Sequence, residues 1–315
     1  MTHRLKSGTE LFVDDALIAS KRRVTRVLHP GVKHETPVLS PDPDKPWEHG
    51  GGEQSKRVHL YGTVMYDEVV GKYRMWYMCR MGPHWEFEAQ SVPGLYIPRP
   101  GRNPSTHMGQ THDAHGRKFL ENDRGDLTCY AESDDGLTWT KPDLGIFEFN
   151  GSADNNIVWD LHGASVFRDD DEPDPRKRYQ AVGFCRRYRN VFFLTSPDGI
   201  HWDDSDHLEP VLERANEGSF NVVHDDNAGV FRAYAHGRDT DKDSRRMVYC
   251  AESRSLSGPW SALEPMLRAT PEDDAVGARK YGATRAEIHN MSGFLYHNVY
   301  IGIAGLLYVT GPGAP

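Results

Sequence analysis

The sequence predicts an all-β chain built from repeated four-stranded antiparallel units. Three observations carry that expectation: an internal repeat, period-two alternation of apolar residues, and turns that recur at matching places. Three segments line up. The first begins GTVMYDEVVGKYRMWYMC and closes, after a long insertion, with CYAESDDGLTW. The second is ASVFRDDDEPDPRKRYQAVGFC followed by FFLTSPDGIHW, and the third is FNVVHDDNAGVFRAYAHG followed by VYCAESRSLSGPW. Each holds two alternating strands joined by an acidic turn, then two more joined by a turn that ends in tryptophan. Trp139, Trp202 and Trp260 mark those ends at intervals of roughly 60 residues, a supersecondary period.

Taken in order, the N-terminal segment 9–40 (ELFVDDALI, VTRVLH) can add closing strands. The first unit is expected over 58–142, where Val64, Tyr66, Tyr73, Met75 and Tyr77 sit at period two. Asp135-Gly136 and Asp198-Gly199 are hairpin signals, because glycine tolerates positive φ. The second unit is expected over 157–208 and the third over 219–265. PEDDAVGARKYG has room for one helical turn. A fourth unit starts near Tyr281 and shows two strands, FLYHNVY and IGIAGLLYV, of an expected four before residue 315. Four strands per unit at this spacing is the pattern of a five-bladed-type β-propeller in one domain, 1–315, incomplete at its C-terminal end.

Composition narrows the function. Hydrophobic residues make up 37% and aromatics 10% of the 315, enough for a packed core. The net charge of −9 argues against a nucleic-acid binder, which would show a basic face. No apolar run approaches the roughly 20 residues that span a membrane, so no membrane partner is expected. The N-terminus lacks the apolar stretch of a secretory signal, which makes the cytoplasm the default expectation. Cys79, Cys129, Cys185 and Cys250 show no zinc-site spacing and occupy matching strand positions, so they read as reduced core thiols. Thr111-His112-Asp113-Ala114-His115 lies in a Gly/Pro-rich loop too irregular to gather metal ligands; no metal or cofactor is expected.

The pattern resembles the five-bladed propeller superfamily of glycoside hydrolase families 43 and 32, the arabinanases, invertases and levansucrases. The residues that carry it, over most of 37–310, are Asp67, Asp169 and Asp225 at the first turns, and SxDGxxW at Ser133 and Ser196. LSGPW at Leu256–Trp260 and the lead-in Pro37-Val38-Leu39 … Pro46-Trp47-Glu48 complete the set. The resemblance implies catalysis by carboxylates at the starts of successive inner strands: one protonated acid, and one ionised base or nucleophile. It implies a carbohydrate partner, here a poly- or oligosaccharide that can include acidic or sulfated sugars. It assigns Glu217, in Asn216-Glu217-Gly218, to the general acid. Where the family's base aspartate should stand, the sequence has His59, Leu60, Tyr61 and Gly62. Near the second aspartate's place, His162 to Ala164, only Asp160 is available. Asp160, Glu287 and Glu53 can substitute from neighbouring loops.

Strand direction adds binding residues. The connection between second and third strands returns to the face where inner strands start. In the first unit that connection is the insertion 80–126, with Trp85; its counterparts hold Arg187 and Arg238. With His59, His162 and His289 they form an expected sugar-binding set, since aromatics stack on sugar faces and arginine forks bind carboxylate or sulfate. Three functions fit: a glycoside hydrolase, a carbohydrate-binding propeller without catalysis, and a phosphate-dependent phosphorylase relative.

Overall fold

The structure, a computed structural model, describes residues 14–310 except 16, 28, 49–57, 81–109, 113–117, 121–125, 148, 150–151, 186–189, 208, 213–219, 240–243 and 298. β-Branched and aromatic residues in β1 (Val58–Asp67) and the alternating Tyr73, Met75 and Tyr77 of β2 (Lys72–Arg80) make the first hairpin, closed by a turn at Gly71. Within the insertion that follows, β3 (Gln110–His112) and β4 (Lys118–Leu120) pair with each other. β5 (Asp126–Ser133) and β6 (Ile157–Trp159) complete a sheet in the order β1-β2-β5-β6. β7 (His162–Arg168), β8 (Tyr179–Cys185) and β9 (Asn190–Ser196) form a second sheet. β10 (Phe220–Asp225), β11 (Val230–Arg238), β12 (Arg246–Ser253) and β13 (Glu264–Leu267) form a third. After α1 (Pro271–Tyr281), β14 (Arg285–Tyr296) and β15 (Val299–Val309) pair as a hairpin. The chain is therefore all-β, built of successive antiparallel sheets of the propeller type.

Strand Ile157–Trp159, inside the range 157–208 expected for the second unit, is the outer strand of the first. In the second sheet the outer position is held by isolated bridges, Thr195 to Asp203 and Val191 to Leu212. Among the described residues of 14–45 no strand forms; Asp15 instead holds Lys21 and Arg26. Helix α1 is longer than the single turn the sequence suggested. Thr270 caps its first turn through a reciprocal bond with Asp273, and Gly282, at φ 64°, ends it.

Apolar clusters sit between successive sheets. Trp76 and Tyr130 of the first pack against Leu161, Val166, Ala181 and Leu194 of the second. Val182, Phe184 and Phe193 meet Phe220, Val222 and Ala233 of the third. Val223, Tyr234 and Val248 meet Ile288 and Met291 of the hairpin. The outward hairpin face leaves Phe294, Tyr296 and Ile303 exposed. All four cysteines are free, three of them buried and Cys250 partly so.

The repeated aspartates tie neighbouring sheets together. Asp67 accepts from the amides of Val69 and Val70, closing its own turn, and from Tyr179 Oη of the next sheet. Asp225 repeats the arrangement with Asn227, Ala228 and, from β15, Tyr300. The third sheet has Phe231 at the tyrosine's place. It has no hydroxyl to offer Asp169 and packs edge-on against Phe167 instead, at 5.5 Å.

Candidate functional site

The four inner strands, β1, β7, β10 and β14, start on one face and surround an axial cavity of about 80 Å³. Tyr61, Gly62, Gly163, Ser165, Asn221 and Asn290 are among its lining residues. What shapes its upper rim is a set of bulges. Pairing of β1 with β2 shifts between His59 and Thr63, so three residues of β1 oppose Tyr77 alone. β14 shifts between Ile288 and Asn290, leaving His289 as the extra residue. β7 shifts between His162 and Ala164, with Gly163 at φ 81°, a conformation that favours glycine. Bulges bend a strand and re-aim side chains, and they concentrate beside functional sites.

Two of the bulged residues meet. Tyr61 Oη and His289 Nε2 are 3.2 Å apart, joining the first and last inner strands across the rim. The Tyr61 ring is stacked on His59 at 5.5 Å and lies 5.6 Å from His162. His162 is buried, and its Nδ1 is 2.5 Å from Asp126 Oδ2 at the start of β5. That carboxylate fixes the ring's orientation and directs its Nδ1 proton. His236 of β11 packs edge-on to His289 at 5.8 Å. Packing around His289 and the nearby Arg246 charge hold its imidazole below the ordinary histidine range, against the opposing pull of Glu287. In the neutral Nδ1–H tautomer, which this lowering favours, His289 Nε2 can accept the Tyr61 proton.

The carboxylates are placed differently from one another. Glu287 is fully buried, with Oε2 2.7 Å from Arg246 and Oε1 2.6 Å from Arg285. Oε2 accepts a hydrogen bond from Arg246, whereas the Oε1–Arg285 contact is a close ion pair without hydrogen-bond geometry. Asp160 is buried just ahead of β7. Arg238, at the end of β11, donates to the Ser244 carbonyl at 3.2 Å. Glu217, Trp85, Arg187 and Glu53 lie outside the described residues. The rim thus brings together His59, His162 and His289. It adds Tyr61, Asp126 and His236, which the sequence reading did not select. Asp126 carried a usable signal: it opens a third strand on the face where inner strands start.

Gly62 shows how tightly the β1 bulge is fitted. A Cβ there would lie 1.8 Å from the Trp76 carbonyl oxygen, a backbone atom that cannot swing aside. Gly62→Ala is expected to cost about 3 kcal/mol, as overpacking does, with urea denaturation as the measurement. A midpoint equal to the parent's would show that the bulge is slack.

Fold and rim together define an all-β propeller-type protein with an axial cavity between the inner strands. No protein-family model matches the chain, and no curated protein matches it. Solved structures do. A mutant of the GH43 protein BlXynB from Bacillus licheniformis is 16% identical over 78% of this chain and 36% of its own, with a TM-score of 0.39. A glycosyl hydrolase from Bacteroides ovatus is 14% identical over 87% of this chain and 89% of its own, also at 0.39. An exo-β-1,3-galactanase from Phanerochaete chrysosporium, solved with β-1,3-galactotriose, is 12% identical over 76% and 44%, at 0.32. The chain spans less than half the length of the first and third.

Proposed function

We propose that this chain binds a poly- or oligosaccharide at its axial face and hydrolyses a glycosidic bond there, with Glu217 as the proton donor. The observation that carries the reading is the rim: bulged strands bring Tyr61, His289, His59 and the Asp126–His162 pair around one opening. Glu217 stands three residues ahead of Phe220, which lines the same cavity. Imidazoles and Arg238 on this face favour a sugar that carries a carboxylate or sulfate. In this reading Glu287 anchors Arg246 beside His289, and Asp160, His162, Trp85, Arg187 and Arg238 contribute to the sugar-binding walls.

A second reading, sugar binding without hydrolysis, draws on the described carboxylates at the rim. Asp126 faces a histidine and Glu287 two arginines. Titration calorimetry with neutral, uronic and sulfated oligosaccharides, beside a reducing-sugar assay on the same panel, separates the two. Binding with release of reducing ends is the expected result, tightest for acidic sugars. Binding alone would select the second reading, and no binding would defeat both.

A further inference from the structure

The stretch where a carboxylate base was expected, His59 to Gly62, includes Tyr61, whose hydroxyl lies 3.2 Å from His289 Nε2. We infer that Tyr61 is the nucleophile of this site and that His289 takes its proton. The inference rests on the hydrolytic reading above and deepens it.

Three independent features point the same way. Both residues sit in bulges, on β1 and on β14, so two separate strand distortions are needed to bring them within 3.2 Å. Next, Tyr61 is half-buried and His289 is exposed, so the pair is open to a ligand above the cavity. Finally, the phenol is held from both sides. His59 stacks on its ring, and His162, oriented by Asp126, flanks it. A tyrosine is a weak nucleophile until an adjacent base removes its proton, and the arrangement supplies that base. A neutral phenol also approaches an anionic sugar without the repulsion that a carboxylate would meet.

The step balances with substrate and water alone. Tyr61 Oη bonds to the anomeric carbon as the bond from that carbon to the leaving oxygen breaks. The phenol proton passes to His289 Nε2, and an aryl leaving group departs as its anion. Water then bonds to the anomeric carbon, the Tyr61 oxygen leaves and recovers its proton from His289, and the water's proton goes to solvent. Two displacements at one carbon return the original anomer.

The test uses the full chain and 2,4-dinitrophenyl glycosides of xylose, arabinose, galactose, glucose and glucuronic acid, with their 2-deoxy-2-fluoro analogues as traps. The expected results are hydrolysis with retention, read by proton NMR of the first-formed anomer. One added glycosyl mass should appear on the peptide carrying Tyr61. Tyr61→Phe, which keeps the ring, should lose turnover and the adduct while keeping sugar binding and the parent circular dichroism spectrum. The trapping experiment on the unmodified chain needs no variant, so it stands even if Tyr61→Phe misfolds. Hydrolysis with inversion, an adduct on another residue, or normal turnover by a folded Tyr61→Phe would overturn the nucleophile and leave the hydrolytic reading intact. No hydrolysis of any glycoside by the unmodified chain would overturn both.

Discussion

Glu217→Gln should lower turnover of an unactivated glycoside by about 10²-fold or more, the typical worth of general acid catalysis, while sugar binding is kept. Glutamine has the shape of the acid and no proton to give. The expectation comes from chain position: Glu217 precedes β10, whose first residue, Phe220, lines the axial cavity. Leaving-group chemistry sharpens it. An alkoxide departs poorly without protonation, whereas a dinitrophenolate departs unaided. The loss should therefore be large on oligosaccharides and small on dinitrophenyl glycosides. Equal losses on both would make Glu217 a binding residue, and equal turnover of variant and parent would remove it from the site.

Asp67→Ala is expected to cost about 3–5 kcal/mol, the effect of leaving a buried charge without its partner. Arg74 is 2% exposed, and its Nη1 lies 3.0 Å from Asp67 Oδ2. Its other donors go to Tyr130 Oη at 2.9 Å and the Asp198 carbonyl at 2.6 Å, so the guanidinium cannot turn to water when the carboxylate is removed. Denaturant midpoints of parent and variant give the cost. The difference should also depend on pH. Burial alone would raise the Asp67 carboxyl, but bonds from Tyr179 and Arg74 outweigh it and hold the group below its ordinary value. A carboxylate lowered in the folded state stabilises above its unfolded pKa of about 3.9, and that contribution is lost as pH falls through the folded value. The gap between parent and variant should be constant from neutral pH to about 5 and shrink below 4. A gap that persists unchanged at pH 2 would place the stabilisation in packing.

The scaffold was legible because its signals are local. Ser133 and Ser196 accept the amides of Gly136 and Gly199, and Asp135 and Asp198 cap the next two amides; both turns are written in four consecutive residues. The first-turn aspartates were equally visible. The hydroxyls that reach Asp67 and Asp225 from the following sheet were not, since they depend on neighbours more than 70 residues away. His59, His162 and His289 were selected from the sequence, but the contacts that join them through Tyr61 were hidden for the same reason. A bulge is a relation between two strands, and aligning fragments by residue count assumes unbroken pairing, which gives no sign that Tyr61 meets His289. The Asp126–His162 pair needs the third strand of one sheet to adjoin the first strand of the next. Helix α1 was a different case: Thr270, Pro271, Asp273 and Gly282 are helix-end signals, outvoted by a stretch with little apolar periodicity.

Arg74 also bears on the order in which the chain can fold as it is made. In solenoids each repeat can stand with only a neighbour's support, and folding may begin anywhere along the array. Here the first sheet's central guanidinium and the Trp76 indole, 2.7 Å from the Gly199 carbonyl, are both satisfied by a turn of the second sheet. A nascent chain that has delivered residues 58–133 alone can pair Arg74 with Asp67 and Tyr130, but the Asp198 carbonyl for its remaining donor and the Gly199 carbonyl for the Trp76 indole have not yet been synthesised. The hydrogen bonding of the first sheet is thus completed only after Gly199 has emerged.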